Sequence, residues 1–180
     1  MDSHDTPNDD LREDGKPVYG KMTHLGFCQD QIEWFAHVAL DVPGQDWTVV
    51  LCTHETVVDV HENYHNRELI LGIIDAFRKH TDFTGSTAYQ EIPLYSAAIS
   101  VDFTGRGGDF AAWVGGHSHR NLDERHNGIL LMTSDSDSFN EIGNVNEQVF
   151  DIFTINKQEH KLYITRIGAG EDREFTYEIF

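Results

Sequence analysis

The stretch Phe110-Ala111-Ala112-Trp113-Val114-Gly115-Gly116-His117-Ser118-His119 joins an apolar run to two glycines and a His-Ser-His. The apolar run predicts a buried strand, and the glycines let the backbone turn sharply. On an extended backbone, residues i and i+2 point to the same side, so His117 and His119 would aim two imidazoles into one small volume. Imidazole is the commonest metal ligand among side chains. The stretch therefore predicts a metal-ligand pair at a strand end. The alternative is a turn with two solvated histidines.

A second apolar run, at residues 47–53, is rich in β-branched residues and predicts a central strand buried on both faces. We expect Cys52, which lies within it, to be a small buried side chain. His54 follows this run at once. If the two strands are neighbours in one sheet, His54, His117 and His119 lie at the same edge, where α/β sheets place their ligands.

The rest of the chain predicts the layers around these strands. Three- and four-residue apolar spacing indicates helices at 29–40 and 67–80, with Asn66 as the N-cap of the second. Residues 81–93 are predicted as a loop. Further strands are predicted at 95–103, 110–114, 129–133, 147–156, 161–167 and 174–179, the first two joined as a hairpin.

This order of elements predicts the α/β (α+β) class, with a mixed-sheet sandwich and flanking helices. Polar, acidic residues at 1–16 predict a flexible N-terminal arm, which leaves residues 17–180 as one domain. Because no apolar stretch approaches about 18 residues, we expect no transmembrane helix. The two cysteines do not indicate a disulfide scaffold, and the cytoplasm is the expected compartment.

The charge balance restricts the partners. The chain has 180 residues and a formal net charge of −18, from 31 acidic and 13 basic residues. Such a surface argues against binding to nucleic acid or to anionic membranes. It would also repel an anionic substrate unless a local positive centre, such as a metal ion, overcomes the general field.

With these motifs in view, the chain resembles the C-terminal half of the calcineurin-like metallophosphoesterases. That family has a strand ending in a lone metal-binding histidine, then a helix, then a strand ending in G-H-x-H. The matching features here are residues 48–54, 67–80 and 116–119, and the likeness covers roughly residues 28–135. The resemblance implies that His54 and His117 bind one metal ion and that His119 binds the other.

The N-terminal residues Asp2-Ser3-His4-Asp5 resemble a remnant of the family's G-N-H-D motif. The resemblance implies that His4 assists the leaving group and that Asp5 orients His4. Ser3 replaces a metal-binding asparagine, and the family's D-x-H and G-D-x-x-D motifs are absent. The chain is therefore expected to be a partial domain with an impaired site, either truncated or a natural short product. For His4 and Asp5, a mobile tail stays the alternative.

The implied reaction is hydrolysis of a phosphate mono- or diester by a metal-activated water. The implied cofactor is a divalent transition metal, Mn, Fe, Zn or Ni, with two ions in a complete site and one or none here. His61, Arg120 and Asn121 are candidate substrate-binding residues. For Arg120 and Asn121, a structural hydrogen bond is an equal alternative.

Two other functions stay open. The chain could be a non-catalytic metallophosphoesterase-like module for binding or interaction, or its histidines could hold a single structural metal ion. A partial sandwich would also leave a sheet edge uncovered, which predicts a homo-oligomer formed through that edge.

Overall fold

A computed structural model describes residues 1–6, 10–20, 24–58, 64–135 and 149–180. These residues mix helices with several sheets, which confirms the mixed α and β class at that level of detail. The elements in chain order are β1 (Leu25–Gly26), α1 (Gln29–Trp34), a π-helical turn (Phe35–Ala39), β2 (Thr48–Cys52), β3 (Tyr64–His65), α2 (Arg67–Lys79), β4 (Asp82–Thr87), a 3-10 turn (Pro93–Tyr95), β5 (Ala97–Asp102), β6 (Asp109–Gly115), β7 (Leu122–His126), β8 (Ile129–Thr133), β9 (Val149–Asn156), β10 (Lys161–Gly168) and β11 (Arg173–Thr176).

The chain forms two compact units. The first consists of Met1–Val42 and Val60–Gly107, and the second of Pro43–Asp59 and Gly108–Phe180. The division made from sequence, with an arm at 1–16 and one domain at 17–180, stays a prediction. Within the described residues, no helix is both long and apolar enough to span a bilayer.

In the first unit, β4 pairs with β5 in antiparallel fashion and β1 pairs with β3 in parallel. Helix α2 packs on β4 and buries an apolar side that includes Leu69, Ile73 and Phe77. Burial of this apolar side is the main stabilising term for a helix of this length.

Asn66 occupies the N-cap position of α2, as predicted, but it differs from a typical N-cap residue. Its backbone is left-handed, with φ of 65°, and its side chain makes no cap hydrogen bond. The buried amide instead donates to the carbonyls of Phe27 and Tyr95, both at 2.7 Å. Its Oδ1, which in a cap would accept from a helix N–H, accepts instead from the Thr87 hydroxyl at 2.6 Å, so the side chain joins separate segments of the first unit.

The second unit contains two sheets. One has the order β2-β6-β8-β7, in which β2, β6 and β8 run parallel and β7 pairs with β8 in antiparallel fashion. The other has the antiparallel order β11-β10-β9. Both sheets contribute to one hydrophobic core, formed by Ala112, Val114, Leu130, Met132, Leu162 and Ile164.

The position of β2 differs from the prediction. It lies at the edge of the described sheet, and Cys52 is exposed rather than buried. Strands β6 and β8 are the buried interior strands: Phe110 to Gly115 of β6 are all buried, as is every residue of β8. A run of apolar residues shows that a strand is compatible with a core, but strand order decides which strand is central.

Two connections also differ. The predicted hairpin between 95–103 and 110–114 is wrong, because β5 pairs with β4 whereas β6 pairs with β2 and β8. Strand β4 occupies part of the predicted loop at 81–93. Strand β7 was not predicted, because its side chains are mostly exposed and carry little apolar alternation.

Candidate metal centre

The loops that follow β2, β6 and β8 are joined by backbone hydrogen bonds. Gly116 N–H donates to the His54 carbonyl at 2.8 Å, and Ser134 N–H donates to the Gly115 carbonyl at 2.8 Å. Since the three strands are parallel, their carboxyl ends meet at one edge of the sheet. This edge is where open α/β sheets bind their ligands.

Gly115 is required for the close approach of these loops. A Cβ at this position would lie 2.7 Å from the Thr56 nitrogen and 3.0 Å from the Glu55 carbonyl carbon. The buried Trp113 contributes a second constraint, because its indole N–H donates to Thr53 Oγ1 at 2.8 Å. The Thr53 hydroxyl in turn donates to the Glu55 carbonyl. The backbone that bears His54 and Glu55 is therefore held against β6.

His54 and His117 meet at this edge. His54 Nε2 lies 2.9 Å from His117 Nδ1, and the two ring planes make an angle of 85°. Two nitrogens that bind one ion at about 2.1 Å would lie roughly 3.0 to 3.4 Å apart, for octahedral and tetrahedral geometry respectively. The observed 2.9 Å is the length of a hydrogen bond between the two rings, and it lies just below the separation of two ligands of one cation.

Glu55 contacts the other nitrogen of the His117 ring. Its Oε1 lies 3.2 Å from His117 Nε2, and its side chain is only 7% exposed. Metal-binding histidines commonly donate their second ring N–H to a carboxylate. Sequence reasoning missed Glu55, although its position directly after a strand-end histidine was a usable signal.

His119 does not follow the extended path that the sequence suggested. Both His117 and His119 have left-handed backbones, with φ of 65° and 50°. His119 is exposed. Among the residues that the structure describes, no group of three or more His, Cys, Asp or Glu is placed to hold a metal ion. The pair His54–His117 is therefore the part of the predicted ligand set that is brought together.

Arg120 and Asn121 make structural contacts through their oxygens. The Asn121 Oδ1 accepts from Arg166 Nη2 at 2.7 Å and from Asp135 N–H at 3.1 Å. The Arg120 carbonyl accepts from the Thr133 hydroxyl at 2.6 Å. His61, the third candidate for substrate binding, lies outside the described residues.

A buried charge network holds the Asn121 side chain in place through Arg166. Asp151 accepts from Arg166 Nε at 2.6 Å and from Arg173 Nη2 at 2.8 Å, and the side chains of Asp151 and Arg166 are each 2% exposed. Burial raises the pKa of Asp151, but hydrogen bonds from Arg166 and Ser134 and the charges of Arg166 and Arg173 outweigh it and lower the pKa below 3.8. Asn121, in the loop after His119, is therefore bonded to an ionised cluster of Asp151, Arg166 and Arg173.

His4 and Asp5 belong to the first unit. His4 pairs with Gly26 through a parallel bridge, and Asp5 accepts from the Cys28 N–H at 2.8 Å. Burial, followed by the charge of Asp5, raises the pKa of the Cys28 thiol to about 12. The Asp5 carboxylate thus binds the chain at the start of α1.

The first unit also has a cavity of about 480 Å³, lined in part by His24, His65 and Tyr89. Burial, and then the charge of His24, lowers the pKa of His65. His65 stacks on Tyr95, with ring centroids 4.4 Å apart. Aromatic packing accounts for the position of this ring.

Comparison with known proteins assigns the chain to no family and no function. No family model, curated protein or solved structure matches this chain. The functional inference therefore depends on the geometry of His54, His117 and Glu55.

Proposed function

We propose that this chain is a metal-dependent phosphoesterase domain, similar to the C-terminal half of the calcineurin-like metallophosphoesterases. The observation that carries the proposal is the 2.9 Å approach of His54 Nε2 to His117 Nδ1, just beyond the ends of two parallel strands. The two histidines are 63 residues apart in sequence. Convergence of two distant imidazoles at a ligand-binding edge supports a shared cation more than it supports two surface residues.

The donor atoms suit a transition metal. Imidazole nitrogens favour Zn, Fe, Ni or Mn in varying degree, and a carboxylate behind one ring is the usual outer partner of such a ligand. When bound, a divalent cation supplies a Lewis acid for a phosphoryl oxygen and lowers the pKa of water. A local positive centre of this kind would also let a chain of net charge −18 hold a phosphate ester.

The described donors support one cation rather than two. Two histidines converge here, and no carboxylate among the described residues joins them in a group of three or more. The assignments of His119 to a second ion and of His4 and Asp5 to the leaving group stay predictions from the resemblance. The metallophosphoesterase sandwich, the homo-oligomer and the cytoplasmic location also stay predictions.

The second candidate is a metal-binding module without turnover. The lack of a three-residue metal group within the described ranges favours it, since hydrolytic metal sites usually have three or more protein ligands. In this candidate, the chain binds the cation but does not catalyse hydrolysis.

The test measures binding and turnover separately. Calorimetric titration with Zn²⁺ and Mn²⁺ is followed by hydrolysis of a nitrophenyl phosphomonoester and of a phosphodiester with each metal. The variants are His54→Ala and His117→Ala, and His37→Ala on the exposed part of the first unit is the matched control.

The phosphoesterase proposal predicts binding and turnover in the parent chain, loss of both in the two site variants, and neither loss in the control. Binding without turnover would favour the module. A chain that binds neither metal would overturn both candidates.

A further inference from the structure

Glu55 is a buried carboxylate whose position is fixed from several sides. Its backbone carbonyl accepts from Thr53, whose hydroxyl is held by Trp113, and Gly115 leaves room for its chain. Its Oε1 points at His117 Nε2, 3.2 Å away. A buried carboxylate costs free energy unless it is paired, so this contact needs a physical explanation.

An ionised carboxylate can only accept hydrogen bonds. Its contact with His117 Nε2 therefore requires that nitrogen to carry the proton. In a neutral imidazole, the other nitrogen is then an acceptor with a free lone pair. Glu55 thus selects the tautomer of His117 in which Nδ1 is available.

The available Nδ1 faces His54 Nε2 at 2.9 Å. Without a cation, His54 can satisfy it by donating its own Nε2–H. For both lone pairs to bind one cation, the proton of His54 has to reside on Nδ1, while His117 needs no change. The two rings therefore differ. His117 already has the tautomer that cation binding requires, because Glu55 accepts from its Nε2–H, whereas His54 has to change its tautomer.

We propose that Glu55 is a positioning residue that fixes the ring orientation and the tautomer of His117 for cation binding. The proposal rests on the proposed function for its purpose, although the tautomer itself is a property of the metal-free chain. Glu55 is not itself a ligand in this geometry, since its contact is with the nitrogen that faces away from His54. Loss of such an outer partner typically weakens metal binding by about 10- to 100-fold.

The experiment compares Glu55→Leu, which removes the acceptor, with Glu55→Gln, which keeps a carbonyl acceptor and removes the charge. The matched control is Glu33→Gln, because Glu33 Oε2 lies at the same 3.2 Å from His37 Nε2 on an exposed surface. Nitrogen-15 NMR of the histidine rings reports the tautomer of His117 without metal. Calorimetry reports Zn²⁺ affinity.

We expect His117 to carry its proton on Nε2 in the parent chain and in Glu55→Gln, and to become a mixture of tautomers in Glu55→Leu. Zn²⁺ affinity should fall by about 10- to 100-fold in Glu55→Leu and by less in Glu55→Gln. The control should match the parent. If Glu55→Leu does not fold, Glu55→Asp replaces it, since the shorter side chain withdraws from Nε2.

An unchanged His117 tautomer in the folded Leu or Asp variant would overturn the proposal. Equal losses of affinity in Glu55→Gln and Glu55→Leu would also overturn it, because they would point to charge rather than to positioning. A chain that binds neither Zn²⁺ nor Mn²⁺ but shows the expected tautomers would refute the proposed function and leave the role of Glu55 in fixing the ring and tautomer of His117 standing.

Discussion

Two histidine–glutamate contacts in this chain have the same length and different surroundings. Glu33 and His37 meet at 3.2 Å on a helical surface, with side chains 46% and 42% exposed. Glu55 and His117 also meet at 3.2 Å, with side chains 7% and 29% exposed. Water screens the first pair, whereas the second lies in a region of lower dielectric.

The two pairs also differ in what the far nitrogen of the histidine faces. The ring of His117 turns its Nδ1 toward His54, which comes from a different strand. Glu33 and His37 lie one helical turn apart, where such pairs form from local spacing alone. A contact distance therefore does not identify a site. Burial and a second converging group do.

The largest expected effect tests how much burial strengthens a charge contact. Replacing Asp151 by Asn removes the charge that balances the buried Arg166. Breaking one partner of a buried pair costs about 3 to 5 kcal/mol. Urea unfolding should show a loss of stability in this range. A loss near that of an exposed pair, below about 1 kcal/mol, would contradict it.

The pH dependence of the same variant follows from the pKa of Asp151. That pKa is lowered below 3.8, despite the opposing effect of burial, because Arg166 and Arg173 favour the charged carboxylate. The ionised Asp151 therefore contributes its full stabilising free energy above its unfolded-state pKa of 3.8. This contribution is lost as the pH falls through the lower pKa of the folded state. The stability difference between parent and Asp151→Asn should be constant from about pH 5 to 8 and shrink below about pH 4. A difference that grows on acidification would refute the assignment.

The next prediction compares the contributions of His117 and His37 to Zn²⁺ affinity. Replacing His117 by Ala should weaken Zn²⁺ binding by more than the about 10- to 100-fold typical of losing an outer partner, since one of two converging ligands is lost. His37→Ala should leave the affinity unchanged. Calorimetry at fixed ionic strength makes the measurement, and equal affinities in the two variants would remove the distinction between the pairs.

A smaller effect tests how closely the backbone at Glu55 and Thr56 packs against Gly115. In Gly115→Ala the new Cβ would meet the Thr56 nitrogen at 2.7 Å, so the loop must move. Overpacking of this kind costs about 1 to 3 kcal/mol. Gly116→Ala is the control, since its Cβ would meet only the His54 carbonyl oxygen, at 3.8 Å. Thermal unfolding that fails to distinguish these neighbours would show that the loop is not tightly held.

The smallest effect concerns the exposed pair. Under acidic conditions in which His37 is protonated, Glu33→Gln should lower stability by about 0.3 to 0.5 kcal/mol at low salt, because an ion pair one helical turn apart contributes little in water. The loss should disappear in about 1 M salt, where the screening length is near 3 Å. A loss above about 1 kcal/mol that persists in high salt would show that exposure does not govern the difference between the pairs.

Local patterns predicted most of the elements. The apolar spacing of residues 67–80 predicted α2 almost to its ends, and the apolar run at 110–114 predicted β6. Strand β7 was missed because its side chains are exposed and only its pairing with β8 defines it. Asn66 was correctly placed at the start of α2, but its side chain forms no cap because its Oδ1 accepts from Thr87 and its amide donates to carbonyls distant in sequence.

The sequence by itself determined the helices, the apolar strands and the placement of His54 and His117 just beyond two of them, because side-chain periodicity encodes local burial. Only the tertiary structure decided that β2 and β6 are neighbours, that β2 lies at the edge of the described sheet, and which ring nitrogens face each other. The tertiary structure also decided that Glu55 lies behind His117. Strand order and ring orientation depend on packing between distant segments, which no local pattern records.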